Sequence, residues 1–179
     1  MIIAGKHGNI VIARINLTRL IMLVFSRDGK KLLTRSFVEI KMKFKNSAGE
    51  HHLEMSPGGR FVFVGHEDGS ILAFEIVQER FLKLKAGYNF TRRILTEEGK
   101  LTHIFCYKER KLIGLINLGR KLHLKFLVFG LDEEKGALRP MKVKGAEEFA
   151  YKGNVRFYRK GGKVYFRNHQ KEGACRLIL

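Results

Sequence analysis

Apolar and polar residues alternate one by one through Val38-Glu39-Ile40-Lys41-Met42-Lys43-Phe44-Lys45. Successive side chains of a β-strand point to opposite faces, so this pattern predicts a strand with one buried and one wet face in an antiparallel sheet. Leu122, Leu124 and Phe126 alternate in the same way with Lys121, His123 and Lys125. Turn signals punctuate the apolar runs at Arg27-Asp28-Gly29-Lys30, His66-Glu67-Asp68-Gly69, Asn117-Leu118-Gly119, Asp132 to Gly136 and Gly161-Gly162. Asp-Gly and Gly-Gly supply the positive φ angles that tight hairpins need. Pro57 and Pro140 are read as loop residues. Two segments are compatible with short helices: Gln78 to Lys85, which also reads as a strand, and Ala146 to Tyr151. The expected class is therefore all-β and mainly antiparallel, either a small propeller-like fold or a β-barrel or sandwich, with at most short helices. No Gly/Ser-rich linker divides the chain, so residues 1–179 read as a single basic, β-rich domain.

The pattern also repeats. Ile2 to Ile12 is similar to Phe63 to Ala73, and Ser26-Arg27-Asp28-Gly29-Lys30-Lys31-Leu32 is similar to Ser56-Pro57-Gly58-Gly59-Arg60-Phe61-Val62. Met55 to Glu75, with its Ser-Pro-Gly-Gly turn into one strand and its Glu-Asp-Gly turn into the next, resembles one blade of a WD40-type β-propeller. Residues 110–122 and 153–164 carry looser versions of the motif, and the family's Trp-Asp signature is absent because the chain has no Trp. The resemblance implies β-units of roughly 40–45 residues, hence about four propeller-like units in 179 residues. It also implies that a C-terminal strand, Ala174 to Ile178, closes the sheet beside the N-terminal hairpin. A short propeller, one completed by a partner, and an unrelated barrel all remain open at this point.

Charge changes the picture more than composition does. The chain carries 35 Lys and Arg against 17 Asp and Glu, a formal net of +18. Its apolar content of 45% is too high for a disordered basic tail. A folded domain with that excess repels itself until something neutralises it. Nucleic acid, DNA or RNA, is the first expected partner, because each neutralised phosphate releases a condensed counterion.

The charge is densest near the C-terminus, where residues 152–176 hold eight Lys or Arg and one acid, Glu172. A two-residue turn at Gly161-Gly162 would set Lys160 opposite Lys163, Tyr158 opposite Tyr165, Phe157 opposite Phe166 and Arg156 opposite Arg167. One face would then be apolar, with Val155, Phe157, Val164 and Phe166. The other would hold Arg156, Tyr158, Lys160, Lys163, Tyr165 and Arg167. Rings beside cations suit single-stranded nucleic acid, whose bases stack while its phosphates pair. A solvated face with splayed side chains accounts for the same residues without a ligand. Lys41, Lys43 and Lys45 make a second basic row, Lys121 and Lys125 a third, and Arg92-Arg93 is a candidate phosphate contact in a loop.

Two other function classes compete. A propeller-like scaffold would use the charge to hold an acidic protein partner. A metal-dependent nuclease would draw on His51, His52 and Glu54, yet adjacent histidines on a strand point to opposite faces. No spacing matches a metal motif, Walker A loop or Gly-x-Ser-x-Gly elbow, so the sequence favours a binding protein over an enzyme and calls for neither cofactor nor metal. Cys106 and Cys175 are 69 positions apart with no C-x-x-C pair. The first residues lack a signal peptide's charged and apolar regions, and Leu20 to Phe25, the most apolar run, is far shorter than the roughly 20 residues that span a bilayer. The expectation is a reducing intracellular compartment, cytoplasm or nucleus or nucleoid, with homo-oligomerisation left open.

Overall fold

The computed structural model describes residues 2–6, 9–16, 19–40, 51–77, 81–89, 100–117, 123–141, 148–150, 155–160, 163–168 and 174–177. The secondary structure among these is strand throughout, in four antiparallel groups. Sheet I is β1 (Ile2–Lys6), β2 (Asn9–Asn16), β3 (Arg19–Phe25) and β4 (Leu32–Glu39), paired in chain order. Sheet II is β5 (His51–Met55), β6 (Phe61–His66), β7 (Ser70–Val77) and β8 (Phe81–Asn89), again in chain order. Sheet III is β9 (Lys100–Lys108), β10 (Lys111–Asn117), β11 (His123–Asp132) and β12 (Ala137–Met141), with β13 (Glu148–Ala150) extending its outer edge along β11. Sheet IV is β14 (Val155–Lys160), β15 (Lys163–Asn168) and β16 (Ala174–Leu177). Sheets II and III also touch edge to edge, through one parallel pairing of Ala137 with Gly87.

Glycine sets the hairpins as the turn chemistry requires. Gly29, Gly59, Gly69 and Gly136 all have positive φ, between 57° and 86°, a region costly for any residue with a Cβ. The two related Ser turns are the same object at atomic level. In each, the Ser amide donates to the carbonyl five residues on, and the glycine amide three residues on donates back to the Ser carbonyl.

Three apolar layers hold the sheets face to face. Val11, Leu20, Met22 and Val24 of sheet I meet Val62, Val64, Phe74 and Ile76 of sheet II. Phe61, Phe63, Ile71 and Ala73, on the other face of sheet II, meet Leu101, Ile104, Leu112 and Phe129 of sheet III. Ile113, Leu115, Phe126 and Val128, on the far face of sheet III, meet Val164 and Phe157 of sheet IV. The order is a stack, I on II on III on IV. Strands β1, β5 and β9 neighbour one another along one side, and β4, β8 and β12 along the opposite side. Gly65 makes the tightest part of the middle layer possible. A Cβ there would lie 2.7 Å from Leu101 Cδ2 and 3.0 Å from Ile104 Cγ2.

The layer between sheets II and III has a polar clasp at its edge. Glu109, in the β9–β10 turn, accepts hydrogen bonds from Ser56 Oγ (2.6 Å), the Gly58 amide (2.6 Å) and the Arg60 amide (3.2 Å). The Arg60 guanidinium bridges Glu75 (2.8 Å) and Glu133 (2.6 Å), and Arg110 pairs with Glu133 as well. Glu75, with which it hydrogen-bonds, is the main reason the Arg60 pKa is held above its ordinary value. Both carboxylates are only 16% exposed, and the pairing of Arg60 with Glu133 crosses the boundary between sheets II and III.

Several expectations change. Of the two readings open for Gln78 to Lys85, residues 81–85 take the strand, and the helical reading of Ala146 to Tyr151 gives way at 148–150 to β13, where His123 pairs with Ala150. Unmet ladder groups on β11 outweigh the local helix propensity. Pro140 is not in a loop but within β12, opposite Phe129. It is tolerated because β12 has a partner strand there on one side only. Among the described residues the C-terminal strand β16 pairs with β15, and β1 with β2, so β16 is not paired to the N-terminal sheet. Hairpin pairing is local, whereas closure would need the two ends of the stack to meet. The repeat is one of turns, not of positions within a unit: the Ser26 turn joins the third and fourth strands of sheet I, and the Ser56 turn the first and second of sheet II.

Candidate interaction surface

The hairpin β14–β15 has the register that its sequence predicts: Arg156 with Arg167, Phe157 with Phe166, Tyr158 with Tyr165, and Lys160 with Lys163. Its inner face is anchored by Phe157, which stacks on Phe105 at 5.4 Å between ring centroids and meets Phe126 edge-on at 5.6 Å. Val164 beside it is buried. The other face is the outer end of the stack. There the Tyr158 and Tyr165 rings lie 5.4 Å apart and 13° from parallel. Such a pair is worth about 0.5–1.5 kcal/mol beyond its burial. It offsets the like-charge pairing of the exposed Lys160 and Lys163, which costs about 0.2–1 kcal/mol. The next strand continues the theme, because Arg176 of β16 pairs with Tyr165.

Of the remaining basic candidates, Lys125 does not join this face. Lys125 precedes Phe126 on β11, and Phe126 is the residue that meets Phe157, so Lys125 lies on the opposite face of sheet III. Lys41, Lys43, Lys45, Lys121, Arg92 and Arg93 lie outside the described residues.

The histidines separate as adjacent strand positions must. His51 pairs with His66 across β5–β6, their rings 4.7 Å apart, and His66 Nδ1 is 3.0 Å from Asp68. His52 is on the other face, 5.9 Å from His103. Desolvation, and secondarily the charge of His52, hold the His103 pKa below its ordinary value. Among the described residues no group of three His, Cys, Asp or Glu lies close enough together to hold a metal. The Cys106 thiol is buried in the layer between sheets II and III, where it donates to the Lys108 carbonyl at 3.0 Å.

The opposite end of the stack holds residues that the sequence reading missed. Leu20, Met22 and Val24 are buried against sheet II, but Ile21, Leu23 and Phe25 are partly exposed on the outer face of sheet I. Phe37 pairs with Ile21 and is 61% exposed. Leu32, opposite Phe25, is 48% exposed. The available signal was the run Leu20 to Phe25, apolar at every position. Such a run marks a strand with both faces meant for burial.

No protein-family model matches the chain, and no curated protein matches it in sequence. In three dimensions it is similar to β-propellers. The β-propeller domain of Vanderwaltozyma polyspora Nup133 matches with a TM-score of 0.52 at 11% identity, over 92% of this chain and 57% of that one. The Cps50 (Swd1) β-propeller domain of Myceliophteria thermophila matches with a TM-score of 0.48 at 12% identity, over 94% of this chain and 47% of that one. The chain thus spans about half the length of the propeller domains it resembles. Its architecture is propeller-like and all-β. Among the described residues no helix is long and apolar enough to cross a membrane.

Proposed function

We propose that the protein is a propeller-type interaction scaffold that holds an acidic protein partner on the open face of sheet IV. The observation that carries this is the β14–β15 register, which sets three like pairs in a row: Arg156 with Arg167, Tyr158 with Tyr165 and Lys160 with Lys163. Both lysines and Tyr158 are exposed, while the reverse face of the hairpin is spent on packing against sheet III. Tyr and Arg are the residue types that anchor protein interfaces, and a net charge of +18 steers acidic partners toward the surface. The propeller likeness speaks to the fold alone.

Nucleic acid is the rival occupant, since the same cations attract phosphate. The two Tyr rings already cover one face of each other, which leaves less ring surface for bases. The deciding experiment is a pull-down from cell extract, with and without nuclease, using the unaltered protein and the triple variant Arg156→Ser, Lys163→Ser, Arg167→Ser. A protein partner that survives digestion and is lost with the triple variant is the expected result. Loss of partners on digestion would transfer the site to nucleic acid, and binding indifferent to the triple variant would remove it from this face.

A further inference from the structure

The two ends of the stack are chemically unlike. The outer face of sheet IV is basic and carries the Tyr pair. The outer face of sheet I is apolar at its centre: Ile10, Ile12, Ile21, Leu23, Phe25 and Phe37 share it by strand register. Not one of these six is buried, whereas their neighbours facing sheet II, Val11, Ala13, Leu20, Met22 and Val24, are at most 1% exposed. Of the large apolar side chains more than about a third exposed among the described residues, three are on β4: Leu32, Leu33 and Phe37. Concentrated exposure of this kind on a folded domain marks an interaction surface.

Building on the scaffold reading above, we infer that the outer face of sheet I is a second docking surface, and that its occupant is a β-sheet of a separate acidic protein, which packs there as a further blade. The first reason is continuity. The reverse face of sheet I is a sheet-on-sheet layer, and the same arrangement recurs between II and III and between III and IV. Strand β3 is apolar on both sides, as a strand between two sheets is. The second reason is charge. Arg14, Arg19 and Arg35 are exposed on this outer face, and Glu39 is the acid that partners Arg19, at 2.6 Å. Arg19 also stands over the Phe37 ring at 5.3 Å. A sheet with an apolar centre and carboxylates at its strand ends fits both parts. A second copy of this chain does not fit. Face to face it would double the same three arginines, and head to tail it would bring the basic end of sheet IV onto them, each copy at +18.

The test uses the whole chain and a labelled three-stranded β-sheet peptide with valine and isoleucine on one face and glutamate at the strand ends, read by fluorescence anisotropy. The double variant Leu32→Ser, Phe37→Ser should weaken the peptide by about tenfold or more, because burial of these side chains supplies much of the contact. The triple variant Arg14→Ser, Arg19→Ser, Arg35→Ser should weaken it and flatten its salt dependence. Lys108→Ser with Lys135→Ser, exposed on sheet III away from both end faces, should leave it unchanged, and Lys160→Ser with Lys163→Ser tests the far end. Hydroxyl-radical footprinting of the unaltered protein supplies a readout free of folding effects, with Phe37 and Leu32 protected when the peptide is bound. No peptide binding, or unchanged binding with Phe37 unprotected, overturns the inference and leaves the sheet IV scaffold standing. Loss of binding in the Lys160/Lys163 variant alone puts the peptide on sheet IV and overturns it too. Sedimentation showing a dimer that Phe37→Ser converts to monomer would give the face to a second copy.

Discussion

Strands β3 and β6 look alike on paper and differ in the fold. Leu20-Ile21-Met22-Leu23-Val24-Phe25 and Phe61-Val62-Phe63-Val64 are both unbroken apolar runs. In β6 every residue from Phe61 to His66 is buried, odd positions against sheet III and even positions against sheet I. In β3 burial alternates, and only the positions facing sheet II are covered. The contrast shows that an apolar run records what a strand is suited to meet, not what it meets within one chain. Sheet II is sandwiched; among the described residues sheet I has one neighbour.

The largest expected break of this comparison is Phe63→Ala, which empties a fully buried site between sheets II and III and should cost about 3–5 kcal/mol in urea unfolding. A loss under about 1 kcal/mol would mean that the two sheets are not packed as described. Next is the clasp between them. Glu109→Ala removes the acceptor of the Ser56 hydroxyl and the Gly58 amide, while the Arg60 amide keeps Ser56 Oγ at 3.1 Å, and should cost about 1–3 kcal/mol. At the corresponding Ser26 turn, Asp28 is held below the ordinary carboxyl pKa, mainly by Ser26, yet it reaches no other sheet. Its removal should therefore matter less, and equal effects of Glu109→Ala and Asp28→Ala would deny the clasp.

A smaller effect is expected from pH. The folded-state pKa of His103 is depressed below 6.5, so the unfolded chain binds the proton more readily. Its contribution to stability is present above pH 6.5 and declines as the pH falls from there toward the folded value. His103→Gln should flatten that part of the stability profile, and an unchanged profile would count against the shift. The smallest effect belongs to the open end: Phe37→Ser, at a side chain 61% exposed, should leave stability within about 0.5 kcal/mol. A large loss would show that this face is already covered in the free protein.

Much of the fold was legible from local signals. The turns at Asp28-Gly29, Gly58-Gly59 and Asp68-Gly69 are where they were expected, because positive φ is a property of the glycine itself. The β14–β15 register followed from a two-residue turn and a period of two, and it came out pair for pair. The misses have a common cause. β13 was read as helical because its three residues carry little period, and its state depends on unmet groups of β11. The pairing of β16 was misjudged because the closing of a ring depends on the summed geometry of all blades, which no segment encodes. His51 and His52 separated as adjacent strand positions must, but that His52 would lie near His103 required the stacking of β5 against β9.

The sequence by itself determined that this protein is made of antiparallel strands, where most of them turn, and which cations share a face with Tyr158 and Tyr165. Those features rest on backbone preference and on an alternation that repeats every two residues. Only the tertiary structure decided which apolar faces are covered. Coverage belongs to pairs of sheets, so it appears once the order of the stack is known: β6 disappears between two neighbours, and β3, with the same kind of sequence, has one face that no described sheet covers.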